Sequence, residues 1–67
     1  MTTCTVNGRE HELERGETVA RLLDRLGLTG RYALVERNGE PVQRASYPEV
    51  ELERGDTLIV ARPVAGG

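Results

Sequence analysis

Lysine is missing from this 67-residue chain; all nine of its basic residues are arginine. Tryptophan and phenylalanine are missing too, and there are only two tyrosines. Any core must therefore be built mostly of Leu, Val, Ile and Ala. A chain this short buries only about 60% of its unfolded surface, which leaves little protein to enclose a water-excluding pocket of a few hundred Å³. A binding or carrier module is expected before an enzyme. The single cysteine, Cys4, excludes an internal disulfide and fits a reducing cytoplasm. No apolar run approaches the roughly 20 residues that span a bilayer, and Met1-Thr2-Thr3-Cys4 lacks the charged start of a signal peptide. A net charge of −2 and a pI near 5.3 argue against a nucleic-acid footprint. The expectation is one soluble, cytoplasmic domain with neither nucleic acid nor membrane as partner.

Catalytic signatures are equally scarce. His11 has no second histidine or acidic triad at ligand spacing, so it reads as an exposed strand residue and not as a metal ligand or base. There is no Cys/His cluster, no Gly-rich phosphate loop, and no nucleophile set beside a base.

What the chain does contain is regular patterning. Thr3 to Asn7 alternates in period two, with Cys4 and Val6 on one face. Asn7-Gly8 is the two-residue signal of a type I′ hairpin, and Arg9 to Leu13 returns as a second strand. Glu14-Arg15-Gly16-Glu17 breaks the strand and Thr18 caps a helix. Val19, Leu22, Leu23 and Leu26 form its apolar stripe, while Arg21, Asp24 and Arg25 read as its solvated face. Gly27 and Leu28 suit a Schellman close. A third strand is expected over Tyr32 to Arg37, ended by a second tight turn at Asn38-Gly39. Pro41 confines Glu40 to Gln43 to an edge piece or an irregular return. Ser46 to Glu49 reads as one helical turn or loop, and Glu53 to Asp56 turns into a last strand, Thr57 to Val64.

Both faces of that last strand are apolar, so either Leu58 with Val60 or Ile59 with Ala61 must leave the core. Outward Ile59, Ala61 and Pro63 would be a partner patch or a scatter of surface apolars. Two hairpin-like pairs around one helix imply an α+β domain of the β-grasp (ubiquitin-like) type. Its mixed sheet of four to five strands would grip one main helix, with the first and last strands parallel at the centre. The domain is expected over residues 1–64, with 65–67 as a flexible tail.

That tail ends in Gly66-Gly67. Glycine reaches backbone conformations and narrow channels closed to other residues, so the terminal carboxylate is the expected working group. Val64 to Gly67 extends at most about 14 Å.

In this order the motifs resemble the ThiS sulfur carriers of thiamine biosynthesis. The likeness is carried by Asn7-Gly8, Gly16-Glu17-Thr18-Val19-Ala20-Arg21-Leu22-Leu23, Ala33 to Glu40 with Val42 and Arg44, Gly55-Asp56, and Val64-Ala65-Gly66-Gly67. Tyr47 stands where relatives often have tryptophan. The resemblance implies a cycle centred on Gly67, with Gly66 as its thin stem. A ThiF-like adenylating enzyme, using ATP and Mg²⁺, would join the carboxylate to AMP. A sulfur donor such as a cysteine desulfurase would supply sulfur, and the resulting thiocarboxylate would serve a ThiG-like thiazole synthase. It also implies that the chain itself binds no metal or cofactor and is a co-substrate, not an enzyme. Ile59, Ala61, Pro63, Val64 and Ala65 then become the expected contact with the partner. An activated C-terminus is safer on a chain without lysine amines, although coding bias toward arginine is the simpler source of their absence. Carriers of the same fold for molybdopterin, tRNA thiolation or cysteine synthesis stay open as alternatives. So do a ubiquitin-like protein modifier and a plain interaction domain.

Overall fold

The computed structural model describes residues 1–28 and 33–61. Strand β1 (Thr3–Val6) turns Cys4 and Val6 inward and leaves Thr3 and Thr5 half-buried on the other side. At Asn7 and Gly8 the backbone takes φ values of 50° and 83°, the two left-handed residues that a type I′ turn requires. Strand β2 (Arg9–Glu12) then returns antiparallel, with Thr3 opposite Glu12 and Val6 opposite Arg9.

Helix α1 (Val19–Arg25) begins at Thr18, whose hydroxyl accepts the Arg21 N–H at 3.2 Å. The remaining orphan N–H groups of its first turn go to a distant loop. Val19 donates to the Val50 carbonyl at 2.9 Å and Ala20 to the Tyr47 carbonyl at 3.0 Å. The helix ends in the expected Schellman pattern, with Leu28 N–H on the Leu23 carbonyl and Gly27 N–H on the Asp24 carbonyl.

Strand β3 spans Leu34–Arg37: Ala33 lies outside it, and Tyr32, the expected start of the strand, lies outside the described residues. Asn38 and Gly39 repeat the left-handed pair of the first hairpin, with φ of 52° and 86°, and lead into β4 (Glu40–Val42). A 3-10 turn at Arg44–Ser46 runs on into a hydrogen-bonded turn in which Glu49 and Val50 both donate to the Ser46 carbonyl. Strand β5 (Thr57–Ala61) closes the fold.

The five strands lie in the order β2-β1-β5-β3-β4. β1 and β5 are parallel neighbours at the centre, and every other pair is antiparallel. Pro41 sits on the edge strand opposite Glu36, where its missing N–H costs the sheet least. Between sheet and helix lies one core: Cys4, Val6, Val19, Leu22, Leu23, Val35, Tyr47, Leu52, Leu58 and Val60. Tyr47 reaches it with its ring and donates its hydroxyl proton to the Ala33 carbonyl at 3.1 Å, so the buried phenol is satisfied. This is the β-grasp arrangement expected from the sequence. No helix among the described residues is long and apolar enough to cross a membrane.

Candidate functional site

The candidate site is built on β5, the strand that leads into the glycine-ended tail. Its residues alternate strictly. Leu58 and Val60 are buried, Ile59 is 52% exposed, and Ala61 is exposed beside it. The register pairs Ala61 with Leu34 and Ile59 with Glu36 on β3. Leu34, 59% exposed, therefore joins Ile59 and Ala61 on the outer face of the sheet. Strand parity could have found Leu34 in the sequence, because an inward Val35 forces it outward. Pro63, Val64, Ala65, Gly66 and Gly67 lie outside the described residues, as does the proposed tail boundary at residue 65.

Both Asn-Gly turns hold β5, one from each side. After β1 turns away, the Asn7 side chain takes over the place of its backbone. Its Oδ1 accepts the Val60 N–H at 2.8 Å and its Nδ2 donates to the Val60 carbonyl at 3.1 Å. Across the sheet, Asn38 Oδ1 accepts the Thr57 N–H at 2.9 Å, while the Asn38 backbone N–H donates to the Thr57 carbonyl at 2.8 Å. The strand is thus gripped at its start by one turn and near its end by the other. The sequence marked both asparagines as turn formers; their side-chain duty to a strand far along the chain carried no local signal.

Two buried carboxylates fix the ends of the fold around this strand. Asp56, just before β5, accepts Arg37 Nε at 2.9 Å, Asn38 Nδ2 at 3.0 Å and the Glu53 N–H at 2.8 Å. Burial pushes its pKa up, but the Glu53 N–H, the Asn38 amide and the Arg37 guanidinium outweigh that and hold it below the ordinary value. Glu17, only 2% exposed, accepts Arg25 through Nε at 2.9 Å and a terminal nitrogen at 2.8 Å, together with the Glu14 N–H. That arginine, chiefly, holds Glu17 below its usual pKa. Arg25 is therefore not simply a solvated residue of the polar helix face: its guanidinium folds back over the helix start and also donates to the Glu12 carbonyl. Arg21 and Asp24 are exposed as expected.

Cys4 is buried to 2%, and burial, then the Asp56 and Glu17 charges, push its thiol pKa up. It packs as a small residue of the core. Among the described residues no group of three or more His, Cys, Asp or Glu could hold a metal ion. Among the described residues, one surface cleft runs along β4 by Pro41 and Ser46 and another lies beside Glu14 and Asp24 on the helix.

A mixed sheet wrapped on one helix, with its central strand running toward a glycine-ended tail, defines a ubiquitin-like β-grasp domain. The sequence profile described as the ThiS family matches residues 2–67. A solved thiamine biosynthesis protein (ThiS) from Geobacter metallireducens superposes with a TM-score of 0.79 at 29% identity, over 98% of this chain and 100% of that one. The chain belongs to the ThiS family. Two curated relatives are similar over 62 residues: a thiazole synthase of Paramagnetospirillum magneticum at 39% identity and one of Magnetococcus marinus at 37%. Those matches take in 92% of this chain but 19% of either relative, so the chain spans about a fifth of their length.

Proposed function

We propose that the chain carries sulfur on the carboxyl group of Gly67 for construction of the thiazole ring of thiamine. A carboxylate with a pKa near 3.5 is an anion at neutral pH and a poor electrophile. Attack of that carboxylate on the α-phosphate of ATP in a ThiF-like enzyme releases pyrophosphate and leaves an acyl-adenylate, with Mg²⁺ offsetting the phosphate charge. A sulfur nucleophile, such as the persulfide of a cysteine desulfurase, then displaces AMP. A thiol reductant then cleaves the S–S bond of the acyl disulfide so formed, being itself oxidised to a disulfide, and leaves a thiocarboxylate, a soft anion able to pass its sulfur to a ThiG-like thiazole synthase.

The observation that carries this role is the family match, which extends through residue 67 and so includes Gly66 and Gly67. Two further observations support it. Curated relatives named thiazole synthase contain a segment like this chain within a much longer polypeptide, which favours a thiazole synthase as acceptor over the other sulfur pathways. The superposition with a solved thiamine biosynthesis protein (ThiS) at a TM-score of 0.79 is the second. Leu34, Ile59 and Ala61 on the outer sheet face form the docking surface in this proposal, with Pro63, Val64 and Ala65 leading into the partner's pocket.

ATP–pyrophosphate exchange with the ThiF-like enzyme of the same cell tests the role. Wild-type chain should support exchange. Deletion of Gly67, addition of one residue after it, and Gly66→Val should each abolish or nearly abolish it, since a β-branched residue restricts the stem. Circular dichroism should find all three variants folded. Full exchange by the Gly67 deletion would remove the carrier role.

A further inference from the structure

The end of β5 is held by a side chain where a backbone would be expected. Along the parallel pair of β1 and β5, Thr5 N–H donates to the Asp56 carbonyl at 2.9 Å and Asn7 N–H to the Leu58 carbonyl at 3.0 Å. The next step of such a ladder would use the Asn7 carbonyl and the N–H two residues later. The chain cannot supply them, because Asn7 and Gly8 have left-handed φ and turn back into β2. The Asn7 side-chain amide supplies both instead: its oxygen accepts the Val60 N–H and its nitrogen donates to the Val60 carbonyl. A primary amide offers the same acceptor and donor as a peptide unit, so the ladder continues one step beyond the strand. Val60 is the last inward residue of β5.

We infer that Asn7 is a positioning residue for the reaction at the tail, an inference that rests on the carrier role proposed above. A partner that holds the sheet face on its surface and the carboxylate in its pocket needs the strand end and the chain end at a set separation. Six residues follow Ala61, a span of up to about 20 Å when extended. A strand end released from its hold adds its own freedom to that span, which must be lost again as the carboxylate enters the pocket, and a misplacement of about 1 Å there can cost a reaction two orders of magnitude. Asn7 acts through Val60, the residue whose backbone its side chain holds, and so sets the direction of the strand end from which the chain leaves the sheet.

Asn7→Gly is the informative variant, since glycine accepts the left-handed turn and removes only the amide. Asn7→Asp keeps the acceptor for the Val60 N–H but turns an oxygen toward the Val60 carbonyl. Asn38→Gly is the control, because it removes the matching side-chain acceptor at Thr57, the opposite end of the same strand, together with one donor to Asp56. Amide hydrogen exchange at Val60 should accelerate by about tenfold or more in Asn7→Gly and stay at the wild-type rate in Asn38→Gly. In pyrophosphate exchange, Asn7→Gly and Asn7→Asp should lower kcat by about tenfold or more with KM for the carrier unchanged, whereas Asn38→Gly should leave kcat unchanged. Equal kcat losses in Asn7→Gly and Asn38→Gly would mean general loosening and would overturn the inference. Wild-type kcat in Asn7→Gly, or an unchanged Val60 exchange rate, would overturn it as well. Absence of activity from the wild type is a separate result, which removes the carrier role and the positioning role together.

Discussion

Glu17 and Arg25 form a two-point ion pair across the start of α1, with the carboxylate almost fully enclosed and the guanidinium side chain 36% exposed. The pair ties the loop before the helix to the helix's last turn, and through the Glu12 carbonyl to the end of β2. Because Arg25 keeps part of its hydration, the pair stabilises less than one buried on both sides. Glu17→Gln should cost on the order of 2 kcal/mol. Glu17 and Asp56 both have pKa values below those of free carboxylates. Their contribution is thus complete above the unfolded carboxylate pKa and disappears as pH falls through the folded values. Thermal melts should be flat above about pH 5.5 and decline below about pH 4.5, with a shallower decline in Glu17→Gln. A melting temperature that rises on acidification would contradict the assignment.

Leu22 and Leu23 carry the helix's contact with the sheet, at 0% and 3% exposure. Truncating either to Ala should cost about 2–5 kcal/mol, which approaches the whole stability of a domain this small. Urea or thermal unfolding measures this directly. Wild-type melting by both variants would be incompatible with the packing described.

Ile59 offers a cleaner probe of docking when two substitutions are compared. Ile59→Glu sets a carboxylate opposite Glu36, a like-charge pair that should lower stability slightly. Ile59→Arg sets an opposite charge there and should leave the melting temperature close to wild type. Both should weaken the complex with the adenylating enzyme in titration calorimetry. Retention of full affinity by both variants would exclude the outer face of β5 from the interface.

Cys4 should behave as a small apolar residue. Cys4→Ala or Cys4→Val should leave thiocarboxylate formation intact, and the native thiol should react slowly with thiol reagents compared with the unfolded chain. Loss of sulfur loading in a folded Cys4→Ala protein would make it a sulfur relay instead.

Most of the fold was legible because its signals are local. Period-two alternation placed Cys4 and Val6, helical spacing placed Leu22 and Leu23, and the two Asn-Gly pairs marked tight turns that the structure contains, the first of them as type I′. The inward choice of Leu58 and Val60 over Ile59 and Ala61 needed the opposing layer, since both faces of β5 are apolar. Glu17, Asp56 and Arg25 were not legible as a buried charge framework. Each lies in a polar turn or on a polar helix stripe, and only the tertiary approach of an arginine or an asparagine makes burial tolerable. The strand-holding bonds of Asn7 and Asn38 escaped for the same reason: their partners at Val60 and Thr57 are 53 and 19 residues away.

Intact mass spectrometry of the protein isolated from its native cell tests the central claim most directly. A sulfur carrier should be present in two forms, one of them heavier by the difference between sulfur and oxygen. Fragmentation should place that difference on Gly67, and removal of the adenylating enzyme's gene should abolish it. A single unmodified mass in cells making thiamine, or high-mass conjugates joined through Gly67 to other proteins, would contradict the account.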